Sequence, residues 1–66
     1  MENPLNNGCK PNEHYSVSQT AKMLGVTRPT IYNYIKQGHF RIFLHKQTMN
    51  KRLKGTDIIK FYNSIS

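Results

Sequence analysis

Two opposite signals, one that ends a helix and one that begins a helix, stand a few residues apart near the middle of this chain. Gly25 supplies the left-handed conformation that closes a helix. Thr27, followed by Arg28 and Pro29, opens another: the threonine hydroxyl suits an N-cap, and the missing proline N–H is harmless in a first turn. Before Gly25, Ser18 is placed as a cap and Ala21 and Leu24 fall on one face, which predicts a first helix over residues 18–24, with Val17 joining the core just before it. Gly38 closes the second helix, predicted over residues 28–37. A link of about three residues forces two short helices to cross around a tight turn, so this region is neither one long rod nor a strand pair.

The pattern then changes period. From His39 onwards Phe40, Ile42 and Leu44 fall on one side and Arg41, Phe43 and His45 on the other, as in a strand. The polar run "HKQTMNKR" makes a hairpin tip with Asn50 available for the turn, and "KRL" returns as a second strand carrying Leu53 inward. The segment "KGTDIIKFYNSIS" predicts a third helix, with a cap at Thr56 or just before it, Asp57 at its positive end, and Ile58, Phe61, Tyr62 and Ile65 as the packed stripe. Residues 1–13 carry Asn, Pro and Gly among few apolar groups and are expected to form a flexible N-terminal leader, leaving residues 14–66 as a single small domain. The fold class is therefore mainly α with a small β-hairpin: three helices and a two-stranded antiparallel wing.

Charge narrows the function. Ten Lys and Arg stand against three Asp and Glu, and no acidic residue lies between Glu13 and Asp57. A one-signed field of this kind attracts a polyanion. The chain has neither a long apolar run nor a basic helix with a continuous bulky apolar face, which argues against a membrane, and no signal peptide is visible. The lone Cys9 excludes an intramolecular disulfide framework and fits a reducing cytoplasm. Catalysis has no support. His14, His39 and His45 lack cysteine partners and short helical spacing, so no metal is expected; paired carboxylates and Gly-rich phosphate loops are missing, so no cofactor is expected either.

The second helix shows what the charge is for. At about 100° per residue, Ile31, Tyr34 and Ile35 project to one side, while Pro29, Tyr32, Asn33 and Lys36 project to the other, flanked by Arg28, Thr30 and Gln37. No carboxylate lies on that outer face. A DNA major groove admits one α-helix, where Asn33 suits adenine, Arg28 suits guanine, and Tyr32 meets a base or a phosphate; Lys36 falls nearer the backbone. The helix start at Thr27 and Arg28 suits a phosphate. On the hairpin, Arg41, Lys46, Lys51 and Arg52 suit the phosphates or the adjacent minor groove.

The run "YSVSQTAKMLGVTRPTIYNYIKQG", a basic hairpin and "KRLKGTDIIKF" together resemble the excisionase-type helix-turn-helix domain, a relative of the DNA-binding head of MerR-type regulators. The similarity spans about Tyr15 to Tyr62 and rests on Ala21, Leu24, Gly25, Val26, Thr27, Arg28, Thr30, Ile31, Gly38, Asp57 and Ile58. It implies a winged helix-turn-helix with the second helix in the major groove and the wing in the minor groove. Carried over by position, the DNA-facing residues are Arg28, Pro29, Tyr32, Asn33 and Lys36, with Arg41, Lys46, Lys51 and Arg52 around the wing. Gln19 and Thr20 stand where the family more often has an acidic residue, Tyr32 and Asn33 replace positions often filled by Arg, and residues 46–50 lengthen the hairpin. MerR-type regulators continue into a long dimerising helix and an effector site, so the resemblance favours an architectural factor for site-specific recombination of a mobile element, with no small-molecule effector. The partners it implies are double-stranded DNA, a recombinase or integrase, and neighbouring copies of the chain. A small transcriptional regulator, or the DNA-binding fragment of a larger protein, is the alternative. RNA binding and a protein-interaction module rank below both.

Overall fold

The structure, a computed structural model, describes residues 1–44 and 51–65. Its ordered elements are β1 (His14–Ser16), α1 (Val17–Leu24), α2 (Arg28–Lys36), β2 (Ile42–Leu44), β3 (Lys51–Lys54) and α3 (Gly55–Ile65), preceded by a 3-10 turn at Pro4–Asn7. Three helices and a small antiparallel sheet make a winged helix-turn-helix, as the periodicities predict.

Helix α1 begins where side chains can meet its free amides. Ser16 accepts from the Gln19 amide at 3.1 Å, and the Gln19 side-chain oxygen accepts from the Ser16 amide at 2.9 Å, which is a reciprocal capping box. The cap is thus Ser16 and not Ser18, because only Ser16 has a Gln three residues ahead to complete the pair. Val17 becomes the first helical residue and is buried. Thr20 is fully buried but satisfied, its hydroxyl donating to the Ser16 carbonyl at 2.9 Å. At Gly25, φ of 69° closes the helix, and α2 restarts at Arg28.

Thr27 has the extended backbone of an N-cap without a side-chain capping bond; its hydroxyl pairs instead with that of Thr30 at 2.8 Å. Helix α2 ends at Lys36, one residue short of the prediction, with Gln37 as its C-cap. Ile31 is fully buried and Tyr34 and Ile35 are half-buried against the core. The Tyr34 ring lies 4.6 Å from that of Phe61, and Phe61 lies 4.9 Å from Phe40, so an aromatic cluster ties the back of α2 to α3.

The expected hairpin is joined by a third strand, giving the order β1-β3-β2 with both pairings antiparallel. Leu53 on the central strand faces Tyr15 on one side and Ile42 on the other. It is fully buried. The alternating pattern starts the strand too early and misplaces its faces: Phe40, before β2, is buried, but Ile42, Phe43 and Leu44 are all exposed, because β2 is an edge strand that packs chiefly on β3 and not on a helix. Ile65 is likewise exposed at the end of α3, whereas Ile58 and Phe61 are buried. The expected tip residues His45, Lys46 and Asn50 lie outside the described residues.

The segment expected as a flexible leader differs most from its sequence reading. Pro4 and Cys9 are buried, and Asn3 caps the 3-10 turn by accepting from the Leu5 amide at 3.0 Å. The segment finds its partners at two helix ends. The Glu2 amide donates to the Leu24 carbonyl at 2.8 Å and the Asn7 side chain to the Met23 carbonyl at 2.8 Å, which satisfies the end of α1. At the start of α3, the Gly55 amide donates to Glu13 and the Thr56 amide to Pro11, at 2.8 and 3.1 Å. Composition registers the scarcity of apolar groups in residues 1–13, but not the helix-terminal bonds that hold them.

Burial pushes the Cys9 thiol up from its ordinary pKa, and its sulfur donates to the Gly55 carbonyl at 3.8 Å. Gly55 has no room for a side chain, since a Cβ there would collide with the Lys10 carbonyl oxygen. Gly55→Ala should therefore cost about 1 to 3 kcal/mol in chemical denaturation and speed the reaction of Cys9 with a thiol reagent, because the leader must move away. Ile31→Ala should cost about 2 to 5 kcal/mol in the same assay, as expected for a large side chain removed from the centre of the core.

Candidate nucleic-acid interface

The turn at Gly25 separates α1 from α2, and the burial of Ile31 decides which side of α2 faces the core. With Ile31 inward, Arg28, Pro29, Tyr32, Asn33 and Lys36 are all exposed along one side of α2. Thr30 is half-buried and held by its bond to Thr27, which is exposed at the helix start. Opposite the first half of α2 stands β3. Lys51 at its start is exposed, and its Nζ sits 5.4 Å from the centre of the Tyr32 ring, a cation–π contact between the second helix and the wing.

Arg28 and Tyr32 from α2 and Lys51 and Arg52 from β3 come together around a cleft of about 430 Å³. Its remaining wall is the start of α1: Ser16, Val17 and Ser18. The Arg28 guanidinium turns towards that wall and donates from Nη1 to Ser18 Oγ at 3.4 Å. Register puts Arg52 opposite Ser16 on β1 and Phe43 on β2, so all three project from the sheet face that Leu53 does not occupy. The cleft is thus lined by three cationic side chains, an aromatic ring and two hydroxyls, with no carboxylate among its lining residues. This is the donor set for a polyanion.

A family comparison agrees with this geometry: the model described as helix-turn-helix domain matches residues 15–65. The chain belongs to the helix-turn-helix domain family. That family is one of DNA-binding domains. The comparison with curated proteins and that with solved structures returned no match.

Within this helix-turn-helix domain the residues singled out from the sequence separate into groups. Arg28, Tyr32, Lys51 and Arg52 converge on the cleft. Asn33 and Lys36 are exposed on α2 but do not line it, and Arg41 is exposed just before β2, apart from it. Lys46 lies outside the described residues. Ser16 and Ser18 were missed as site residues. The spacing Ser16-x-x-Gln19 is a capping-box signature that would have put the helix start at Ser16 and left Ser18 in the exposed first turn beside Arg28. A second cleft, of about 300 Å³, lies between Gly38, His39 and the α3 residues Asp57, Lys60 and Ser64. Its acidic member sets it apart from the basic one. Among the described residues there is no cluster of His, Cys, Asp and Glu able to hold a metal, and no helix is long and apolar enough to cross a membrane.

The two serines have different jobs, and stability separates them. Ser16→Ala removes the cap and should cost about 0.5 to 2 kcal/mol in thermal or chemical unfolding. Ser18→Ala leaves the capping box intact and should change stability by no more than about 0.5 kcal/mol.

Proposed function

We propose that this helix-turn-helix domain is a sequence-specific double-stranded DNA-binding protein of excisionase type, with α2 in the major groove and the basic hairpin at the minor groove or backbone. The observation that carries the reading is the acid-free outer side of α2, opening directly onto a cleft whose other walls are the basic strand β3 and the start of α1. A helix flanked in this way has its edge-reading side chains beside a surface for phosphates, which is the division of labour in groove recognition. Asn33 and Tyr32 are the base-reading candidates, Thr27, Arg28, Pro29 and Thr30 form the helix start, and Lys36, Arg41, Lys46, Lys51 and Arg52 supply the surrounding charge.

The finer assignment, an architectural accessory factor in site-specific recombination of a mobile element, draws on the excisionase resemblance along Tyr15 to Tyr62. Such a factor binds beside further copies of itself and a recombinase and bends its site. Bending DNA by tens of degrees costs on the order of a few kcal/mol, which added contacts must offset.

Selection of bound duplexes from a random pool, followed by a bending assay on the winner, tests both levels. The expected outcome is one enriched site, bent on binding, with affinity that falls steeply with salt as phosphates exchange counterions for Lys and Arg. Enrichment without bending would leave a small transcriptional regulator as the better reading, and tighter binding to single-stranded RNA would overturn the duplex reading. On the enriched site Asn33→Ala should cost about 1 to 3 kcal/mol and on random DNA very little, whereas Lys51→Ala should weaken both alike.

A further inference from the structure

We propose that the cleft between the start of α1, α2 and β3 seats a single phosphodiester of the DNA backbone, and that Arg28 serves this phosphate and does not read a base. The inference rests on the duplex-binding reading above and assigns a role within that surface.

The direction of Arg28 decides between its two uses. Reading a guanine needs the guanidinium extended from the helix into the groove, with two N–H groups aimed at the O6 and N7 acceptors. Here the guanidinium instead turns back onto Ser18 of α1, and the first helix of a helix-turn-helix is the one that crosses the backbone. Ser18 Oγ accepts from Arg28, so the serine hydroxyl keeps its own O–H to donate. Arg28 keeps further N–H donors beyond the one it gives Ser18. Arg52 faces the same space from β3, and Lys51 adds a point charge beside the Tyr32 ring. A phosphodiester carries one negative charge and two unesterified oxygens. Two guanidinium groups, a hydroxyl and an ammonium, converging from three elements, exceed that single charge and suit a compact tetrahedral anion better than they suit the flat edge of a base pair.

The seat also bears on the wing. One phosphate contacted jointly by α1, α2 and β3, which the core already holds together, would fix where this packed unit sits along the backbone, and so set where Asn33 meets the base edges. Specificity would then lie with Asn33 and Tyr32, and Arg28 would set the register.

The test is a scan of the enriched duplex with single neutral methylphosphonate replacements, read against wild type, Arg28→Ala, Arg28→Lys, Ser18→Ala and Arg52→Ala, each checked for native circular dichroism. At one phosphate the neutral replacement should weaken the wild type about tenfold but Arg28→Ala and Arg52→Ala by less than about twofold, since the partner is already gone. Ser18→Ala should give an intermediate value. Arg28→Ala should weaken enriched and random duplexes by the same factor and lower the salt slope by about 0.9. Arg28→Lys should retain most of the affinity, because an ammonium binds phosphate but does not reproduce a bidentate guanine contact. The seat is overturned if Arg28→Ala changes the preferred base at one position, or if no phosphate couples to both Arg28 and Arg52 while wild type still binds the duplex. A wild-type protein that binds no duplex would remove the duplex reading itself, and the seat with it.

Discussion

Leu24, Ile31, Leu53 and Ile58 are fully buried, and each comes from a different element: α1, α2, β3 and α3. They belong to one cluster, so the elements that carry the candidate interface side chains are anchored in a single core. Among the described residues the buried side chains form one cluster, so the wing and the helices share a core. The position of Tyr32 relative to Lys51 follows from that of Ile31 relative to Leu53, one residue and two residues away along their elements. Orientation of the basic surface is therefore a consequence of packing, and a change in the core would be felt in the cleft before any cleft residue was touched.

A core this small leaves helix ends close to the surface, and their unpaired backbone groups need partners. At α1 the start is met by its own capping box, but the end is met by the Glu2 amide and the Asn7 side chain. The start of α3 is met by the carbonyls of Pro11 and Glu13. The first thirteen residues thus supply bonds that the helices cannot supply to themselves. They also place Cys9 and Pro4 over the core, adding apolar cover where the domain has little to spare.

Local chemistry was legible in the sequence and distant pairing was not. Gly25, Thr27, Pro29 and Gly38 punctuate two helices within a few residues of each other, and the helical period alone put Ile31 inward and Tyr32 and Asn33 outward on α2. Those features depend on neighbours in the chain. β1 depends on residues far along the chain, since His14 pairs with Lys54 and Ser16 with Arg52, and three residues of strand carry no periodic signal of their own. The docking of residues 1–13 is similarly non-local. The period-two pattern of Phe40, Ile42 and Leu44 was real as a pattern, but whether it is covered depends on how far the helices reach beneath the sheet, and only Phe40 is covered. Of the candidate site, the cationic residues are legible from charge, whereas the place of Ser18 beside Arg28 is hidden as long as Ser18, and not Ser16, is read as the cap.

The way the cleft holds its cations has a physical consequence. The usual means of fixing a surface Arg or Lys is a carboxylate, which orders the side chain but cancels its charge. Here Arg28 leans on a serine hydroxyl and Lys51 on a tyrosine ring, both neutral. A hydroxyl offers an arginine one acceptor, and a ring face offers an ammonium its quadrupole, so each cation is oriented while its full charge remains for an outside anion. Arg28, Lys51 and Arg52 gather like charge around one cleft, and an anion seated there would relieve their mutual repulsion. The core that fixes α2 and β3 offsets the cost of gathering like charges, and release of that cost by a bound phosphate would add to affinity without adding sequence preference.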